Sequence, residues 1–392
     1  MKKTLLTLLF LCGASILFGQ PKLLKDDKDR HNTAIVIADP DVDSLLKDRK
    51  HELVPSIAAK KDGSVIHAAW YVGGRGEGSG NLVTVAVSTD NGQTWMRDKL
   101  IVYPKLPSSD RFFDPVLWRD SNNDIWLFYA VSQRGLHWDL RGGINAIKLD
   151  WDGKKIKHSA PKLISYGVMM TKPIEVEEIA QTLFPISVWD FEHDWSKDEH
   201  YIGGGTFVYS SPLGKNSPTV NEELEPYTSI RHLPMAARIY DEHQIAQVQD
   251  GEFLLLLRGK AGLYSSRSYD YGKTWTPYES FTAAGTAASS RFYIGRLNSG
   301  NLILVMNAST SRSNMTVFVS EDGGLTWPYS LLIDHRSDVS YPDISQTDDG
   351  AIHLTFDRDR YGAKEIWYCR FTEQDIKNKD IYSVFRLNIN QK

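Results

Sequence analysis

The side chains of this 392-residue chain that could do chemistry stand far apart along it. Asp114, Lys172, Glu242, Arg291 and Tyr341 each sit at or near the start of a short apolar, strand-like run, and Arg258 and Arg312 each sit just past the end of one. A phenol and carboxylates can move protons, whereas guanidinium forks and an ammonium hold anions. Polar groups at matched positions of a repeated element are not core residues. They become a site only if the elements that carry them converge.

The elements repeat, which is what makes convergence possible. Runs starting near Val54-Pro55-Ser56-Ile57, Asp114-Pro115-Val116-Leu117, Lys172-Pro173-Ile174, Glu242, Arg291 and Tyr341-Pro342-Asp343-Ile344, often carrying Pro at the start, lead into a second apolar strand, through a turn with Asp, Asn or Gly in all but the weaker third copy. Starts spaced by roughly fifty to seventy residues fit four-stranded blades around one axis. The fold class is therefore all-β, a six-bladed propeller of antiparallel blades. A second signature, Ser-x-Asp-x-Gly-x-Thr-Trp, occurs at Ser88 to Trp95, Ser268 to Trp275 and Ser320 to Trp327. Its Asp accepts backbone hydrogen bonds, its Gly permits positive φ and its Trp packs beneath, so Asp90, Asp270 and Asp322 are read as turn staples. In a propeller the first strand of each blade lines the axis. A hairpin returns to the end it left, so Arg258 and Arg312 face the same mouth as the strand starts.

Composition bounds the rest. Lys2 and Lys3 precede an apolar run from Leu5 to Phe18, the pattern of a secretory signal peptide over residues 1–20, with residues 21–392 forming one propeller domain. That run is too short for a membrane span. The protein is expected to be exported, to the periplasm or the medium, and to act as a monomer. Of two cysteines, Cys12 lies in the leader, which leaves Cys369 without an internal partner. The formal net charge is −4 and there is no basic stripe, which argues against nucleic-acid binding. No histidine spacing indicates a metal site and no cofactor is expected.

Taken together, these motifs resemble those of the sialidase (neuraminidase) superfamily over nearly all of the chain after the leader. The Ser-x-Asp-x-Gly-x-Thr-Trp copies resemble its Asp boxes. Glu242 to Val248, with Arg258 beyond, is similar to the segment carrying the catalytic glutamate and the second arginine of a carboxylate-binding triad. Ser340-Tyr341-Pro342-Asp343 resembles the segment of the nucleophilic tyrosine, Arg312 stands where a third arginine is expected, and Arg111 with Asp114-Pro115 resembles a substrate-pocket segment. The resemblance implies an exo-acting, retaining glycoside hydrolase that removes a terminal acidic sugar, with Tyr341 as nucleophile, Glu242 as its base, and Arg258 and Arg312 as clamps. A sugar with a carboxylate on its anomeric carbon repels an anionic nucleophile, and a neutral tyrosine avoids that repulsion.

The chain also departs from the family pattern. Where the family carries its first triad arginine, this sequence has Leu53 in Glu52-Leu53-Val54-Pro55. The usual aspartate acid is not evident, and Gly73-Gly74-Arg75-Gly76-Glu77-Gly78 offers Glu77 as acid and Arg75 as a replacement cation. Lys172 and Arg291 complete the expected mouth. Asp357-Arg358-Asp359-Arg360 reads as a salt-bridged loop and most tryptophans as blade packing. Glu373 to Ile376 reads as a short helix, followed by a strand over Ile381 to Leu387 that pairs with the first blade to close the ring. The alternatives to a sialidase-type hydrolase are a related propeller that acts on a uronate-containing polysaccharide as lyase or hydrolase, and a glycan-binding propeller without turnover.

Overall fold

The computed structural model describes residues 34–40, 49–74, 78–105, 108, 110–132, 142–188, 205–214, 218, 223–230, 233–234 and 236–391. The leader, Arg75 and Glu77 lie outside the described residues. Alternating and apolar runs bounded by turn residues become strands in six antiparallel sheets, four of them four-stranded and the first two carrying a fifth strand. Among the described residues no helix is long and apolar enough to cross a membrane.

The innermost strands are His51–Ala59, Arg111–Arg119, Ile174–Val176, Arg238–Gln249, Tyr293–Arg296 and Val339–Gln346. Those of the first, second and sixth blades are buried over most of their length because neighbouring blades cover both faces. The core fills the gaps between blades. Phe184 of the third blade packs edge-on against Trp118 and Phe128 of the second, with centroids 6.5 and 6.2 Å away.

The three Asp boxes join the third strand of a blade to its fourth. In each, Oδ1 of the Asp accepts the Thr N–H, at 2.9 Å in Asp90 and 2.8 Å in Asp270 and Asp322. The same oxygen accepts the Ser hydroxyl at 2.8 Å in each box. The glycines Gly92, Gly272 and Gly324 have φ of 81°, 84° and 84°, which a side chain would disfavour. These carboxylates serve turns, as their spacing suggests.

Ring closure differs from the expectation drawn from the tail. The final strand, Phe385–Asn388, pairs with Glu365–Thr372 and completes its own blade instead of joining the first. The fifth strand of the first blade comes from the other end, where Ala34–Ala38 pairs with Met96–Pro104. Side chains latch the seam between blades six and one. Asp357 accepts the Val54 N–H at 2.8 Å, Asp343 accepts the Ile57 N–H at 2.9 Å, and the Asn390 amide donates to Glu52 at 2.8 Å. The short helix Glu373–Asn378 forms with a capping box at Thr372 and Asp375.

Candidate active site

Three blades share one local device. The ladder slips by one residue between Leu53 and Ser56, between Phe113 and Val116, and between Ser340 and Asp343. The extra residues fall at Val54-Pro55, Asp114-Pro115 and Tyr341-Pro342, where proline has no N–H to lose from the ladder. Val54, Asp114 and Tyr341 take φ of 55°, 47° and 55°, uncommon for residues with a side chain. The bulge thus re-aims one side chain per blade, and all three line the same cavity of about 700 Å³.

That cavity brings together most of the residues predicted from sequence. Tyr341, Glu242, Arg258, Arg312, Arg291, Arg111 and Asp114 all line it. Glu242 is 3% exposed and accepts a hydrogen bond from Arg258 Nη1 at 2.8 Å. Arg258 is the last polar residue of the strand Glu252–Gly259 that returns beside Arg238–Gln249, so one hairpin supplies both groups. Arg291 lies 3.4 Å from the Asp114 carboxylate. Arg111 stacks on Phe113 at 4.0 Å from its ring centroid. Arg312 donates to the Tyr341 hydroxyl at 3.1 Å and has no carboxylate within ion-pair distance among the described residues.

The electrostatics follow from that crowd of cations. Burial alone pushes the Tyr341 phenol up, but Arg360, with Arg258 and Arg312, outweighs burial and the nearby Glu242 and brings it below its ordinary value. Burial also pushes Glu242 up, and Arg258, Arg291 and Arg312 bring it below the usual carboxylate range. The acid is therefore ionised at neutral pH and able to take a proton. The phenol has a reduced cost of giving one up.

Lys172 is placed elsewhere, a correction to the mouth predicted for it. Its ammonium donates to the Ile57 and Leu117 carbonyls at 2.7 and 2.6 Å and to Asp343 at 2.6 Å, tying blades one, two and six together around the axis. Ile57 and Leu117 lie three residues past Val54 and Asp114, so the knot sits deeper along the axis than the cavity. The third blade's inner strand is only three residues long, and its start falls at that deeper level.

Sequence reasoning missed Arg360, Tyr71, Met170, Tyr240 and Tyr361 in the lining. Arg358 and Arg360 are salt-bridged, to Glu365 at 2.8 Å and to Asp357 at 3.1 Å, as read from the sequence. Arg360 nevertheless lies against the phenol, 3.9 Å from the Tyr341 ring centroid. A signal was available: Arg360 follows the second strand of its blade, Ala351–Arg358, just as Arg312 follows Leu302–Asn307.

Comparison with known proteins agrees with this architecture. Residues 63–354 match the model of the BNR repeat-like domain. The chain is 24% identical over 336 residues to a sialidase of Bacteroides fragilis, covering 76% of this chain and 56% of that protein. It thus spans about half the length of that curated relative. Its fold is similar to that of a Hadza microbial sialidase, with a TM-score of 0.63 at 18% identity over 84% of this chain and 67% of the other. A leech intramolecular trans-sialidase superposes with a TM-score of 0.63 at 13% identity, over 86% of this chain and 70% of the other. The chain belongs to the BNR repeat-like domain family and is a six-bladed propeller of the sialidase superfamily.

Proposed function

We propose that the protein is an exo-acting, retaining glycoside hydrolase that removes a terminal 2-keto-3-deoxy sugar acid, sialic acid or a close relative, from glycans through a tyrosyl intermediate. One observation carries this reading. The Tyr341 phenol opens into a cavity that also holds the ionised Glu242 and Arg312, a guanidinium without a carboxylate partner among the described residues. An anionic sugar supplies what Arg312 lacks, by a charge-assisted contact with two-point geometry.

The chemistry proceeds in two steps. As the Tyr341 oxygen bonds to the anomeric carbon, the glycosidic bond breaks, the phenol proton passes to Glu242, and the leaving oxygen takes a proton from an acid. Glu77, flanked by Gly76 and Gly78 in the sequence, is assigned as that acid. Water then attacks the same carbon, giving its proton to Glu77, and frees the phenolate, which recovers its proton from Glu242, so configuration is retained overall. The arginines bind the sugar carboxylate and stabilise charge throughout. The leader-like N-terminus fits an enzyme that meets its glycans outside the cytoplasm.

The test is a panel of acidic glycans incubated with the protein and analysed for released monosaccharide by mass spectrometry. Release of a 2-keto-3-deoxy sugar acid, lost in Tyr341→Phe with the fold intact, is the expected result. Full activity in that variant rejects the tyrosine mechanism, and products with the ultraviolet absorbance of an unsaturated uronate point to a lyase instead.

A further inference from the structure

Among the cations of the cavity, Arg360 is the one whose placement nothing in the first blade predicts. It arises beyond the second strand of the sixth blade, yet its carbonyl accepts the N–H of Glu52 at 3.2 Å, so its backbone runs beside Leu53. Leu53 is fully buried among apolar side chains and presents no charge to the cavity. The Arg360 side chain is 11% exposed and is held on two sides. Asp357 lies 3.1 Å from its Nε, and Nη2 donates to the Ser340 hydroxyl at 2.8 Å. Asp357 in turn accepts the Ser340 hydroxyl at 2.6 Å and the Val54 N–H at 2.8 Å, so the two bulged strands fix the carboxylate that fixes the arginine.

We infer that Arg360 is a substrate-binding residue of this site, the third guanidinium of an anion clamp formed with Arg258 and Arg312, standing in for the arginine that the Leu53 position lacks. This rests on the proposed reaction on an acidic sugar. The three guanidiniums come from equivalent places: the end of, or the loop after, the second strand of blades four, five and six. Arg312 and Arg360 face the Tyr341 ring at 4.9 and 3.9 Å, which brings the clamp to the atom that attacks. Asp357 meets Arg360 at Nε and the Ser340 hydroxyl accepts from Nη2, so the guanidinium is oriented without its whole donor fork being taken up by the carboxylate. A ligand carboxylate beside Tyr341 then meets one unpaired cation, Arg312, and two oriented ones. The clamp is rebuilt from the last blade at the seam where the ring closes.

The test compares ligands that differ only in charge: N-acetylneuraminic acid and 3-deoxy-octulosonic acid against their methyl esters, titrated calorimetrically into the full-length protein. Two variants are used, Arg360→Lys, which keeps a charge for Asp357, and Arg360→Gln combined with Asp357→Asn, which leaves no unpaired buried carboxylate. Wild type is expected to prefer acid to ester. The double variant should lose about 10- to 100-fold in acid affinity with little change for the ester, and Arg360→Lys should fall between. A purely structural role would weaken both ligands equally and overturn the inference. Acid preference undiminished in the double variant overturns it as well, while leaving the hydrolase reading standing. Absence of any acid preference in wild type contradicts the hydrolase reading itself, and this inference with it.

Discussion

Two ion clusters lie along the same inner strands, and they differ in what satisfies them. In the deeper one, every proton of the Lys172 ammonium has a protein acceptor, and Asp343 also takes the Ser56 hydroxyl at 2.5 Å. At the cavity, Glu242 and Asp114 have arginine partners, but Arg312 donates to the phenol of Tyr341. Burial holds the Lys172 ammonium below its ordinary value although Asp343 opposes the shift, and each of its protons has an acceptor inside the protein. A cluster that satisfies itself holds blades together. One that leaves a cation facing an open cavity is arranged for something else to complete it.

The contrast can be broken most forcefully at Tyr341. Tyr341→Phe should reduce turnover by about 1,000-fold or more, while the melting temperature stays within a few degrees of wild type, measured with a released-sugar assay and thermal denaturation. Lys172→Met should do the reverse. Removing one partner leaves Asp343 unpaired, and about 3–5 kcal/mol of stability should disappear from denaturant titrations, with KM of the remaining folded enzyme unchanged. If Lys172→Met abolished binding and left stability alone, the knot would belong to the site.

Smaller effects sharpen the comparison. Arg312→Gln should raise KM by about 10- to 100-fold, because an unpaired clamp loses a charge-assisted contact to the ligand, and should scarcely change stability. The pH profile offers a check with a definite sign. Glu242 is held below its usual 4.5, so its ionised form is favoured in the folded protein, and the stability this contributes is present above about pH 4.5 and lost as pH falls through the lowered value. Activity that needs the ionised base should therefore persist to below pH 4.5. In Arg258→Gln, burial is opposed by fewer cations and the acid limb of kcat/KM should move to higher pH. The smallest expected change is Asp270→Ala, which removes turn hydrogen bonds at Thr274 and Ser268. It should cost about 1–2 kcal/mol of stability and nothing in turnover.

How much of this was legible beforehand depends on whether the repeat governs the residue. The Asp boxes and the starts at Val54, Asp114 and Tyr341 were legible because each turn or bulge has a local chemical cause: Asp and Gly in one case, a proline after the bulged residue in the other. Glu242 and Arg258 were legible because one hairpin joins them. The place of Lys172 is not legible, because its strand is short and its start lies deeper along the axis, a displacement that no residue type announces. In the sequence, Arg360 reads as part of a salt-bridged loop. Alternating charge does announce an ion pair, but not that Asp357 is fully buried and presses the guanidinium against a phenol. The tail strand pairs within its own blade and not with the first, which the sequence does not disclose, since apolar alternation marks a strand and not its partner.

The most direct test of the whole account is to trap the intermediate. The protein is incubated with a sugar acid fluoride whose ring carries a second fluorine to slow hydrolysis, then digested and mapped by mass spectrometry. The account predicts one glycosyl adduct, on the peptide carrying Tyr341, formed as activity is lost. Adduct formation on Glu242 or any other residue, or rapid turnover of the reagent with inversion at the anomeric carbon, would contradict it.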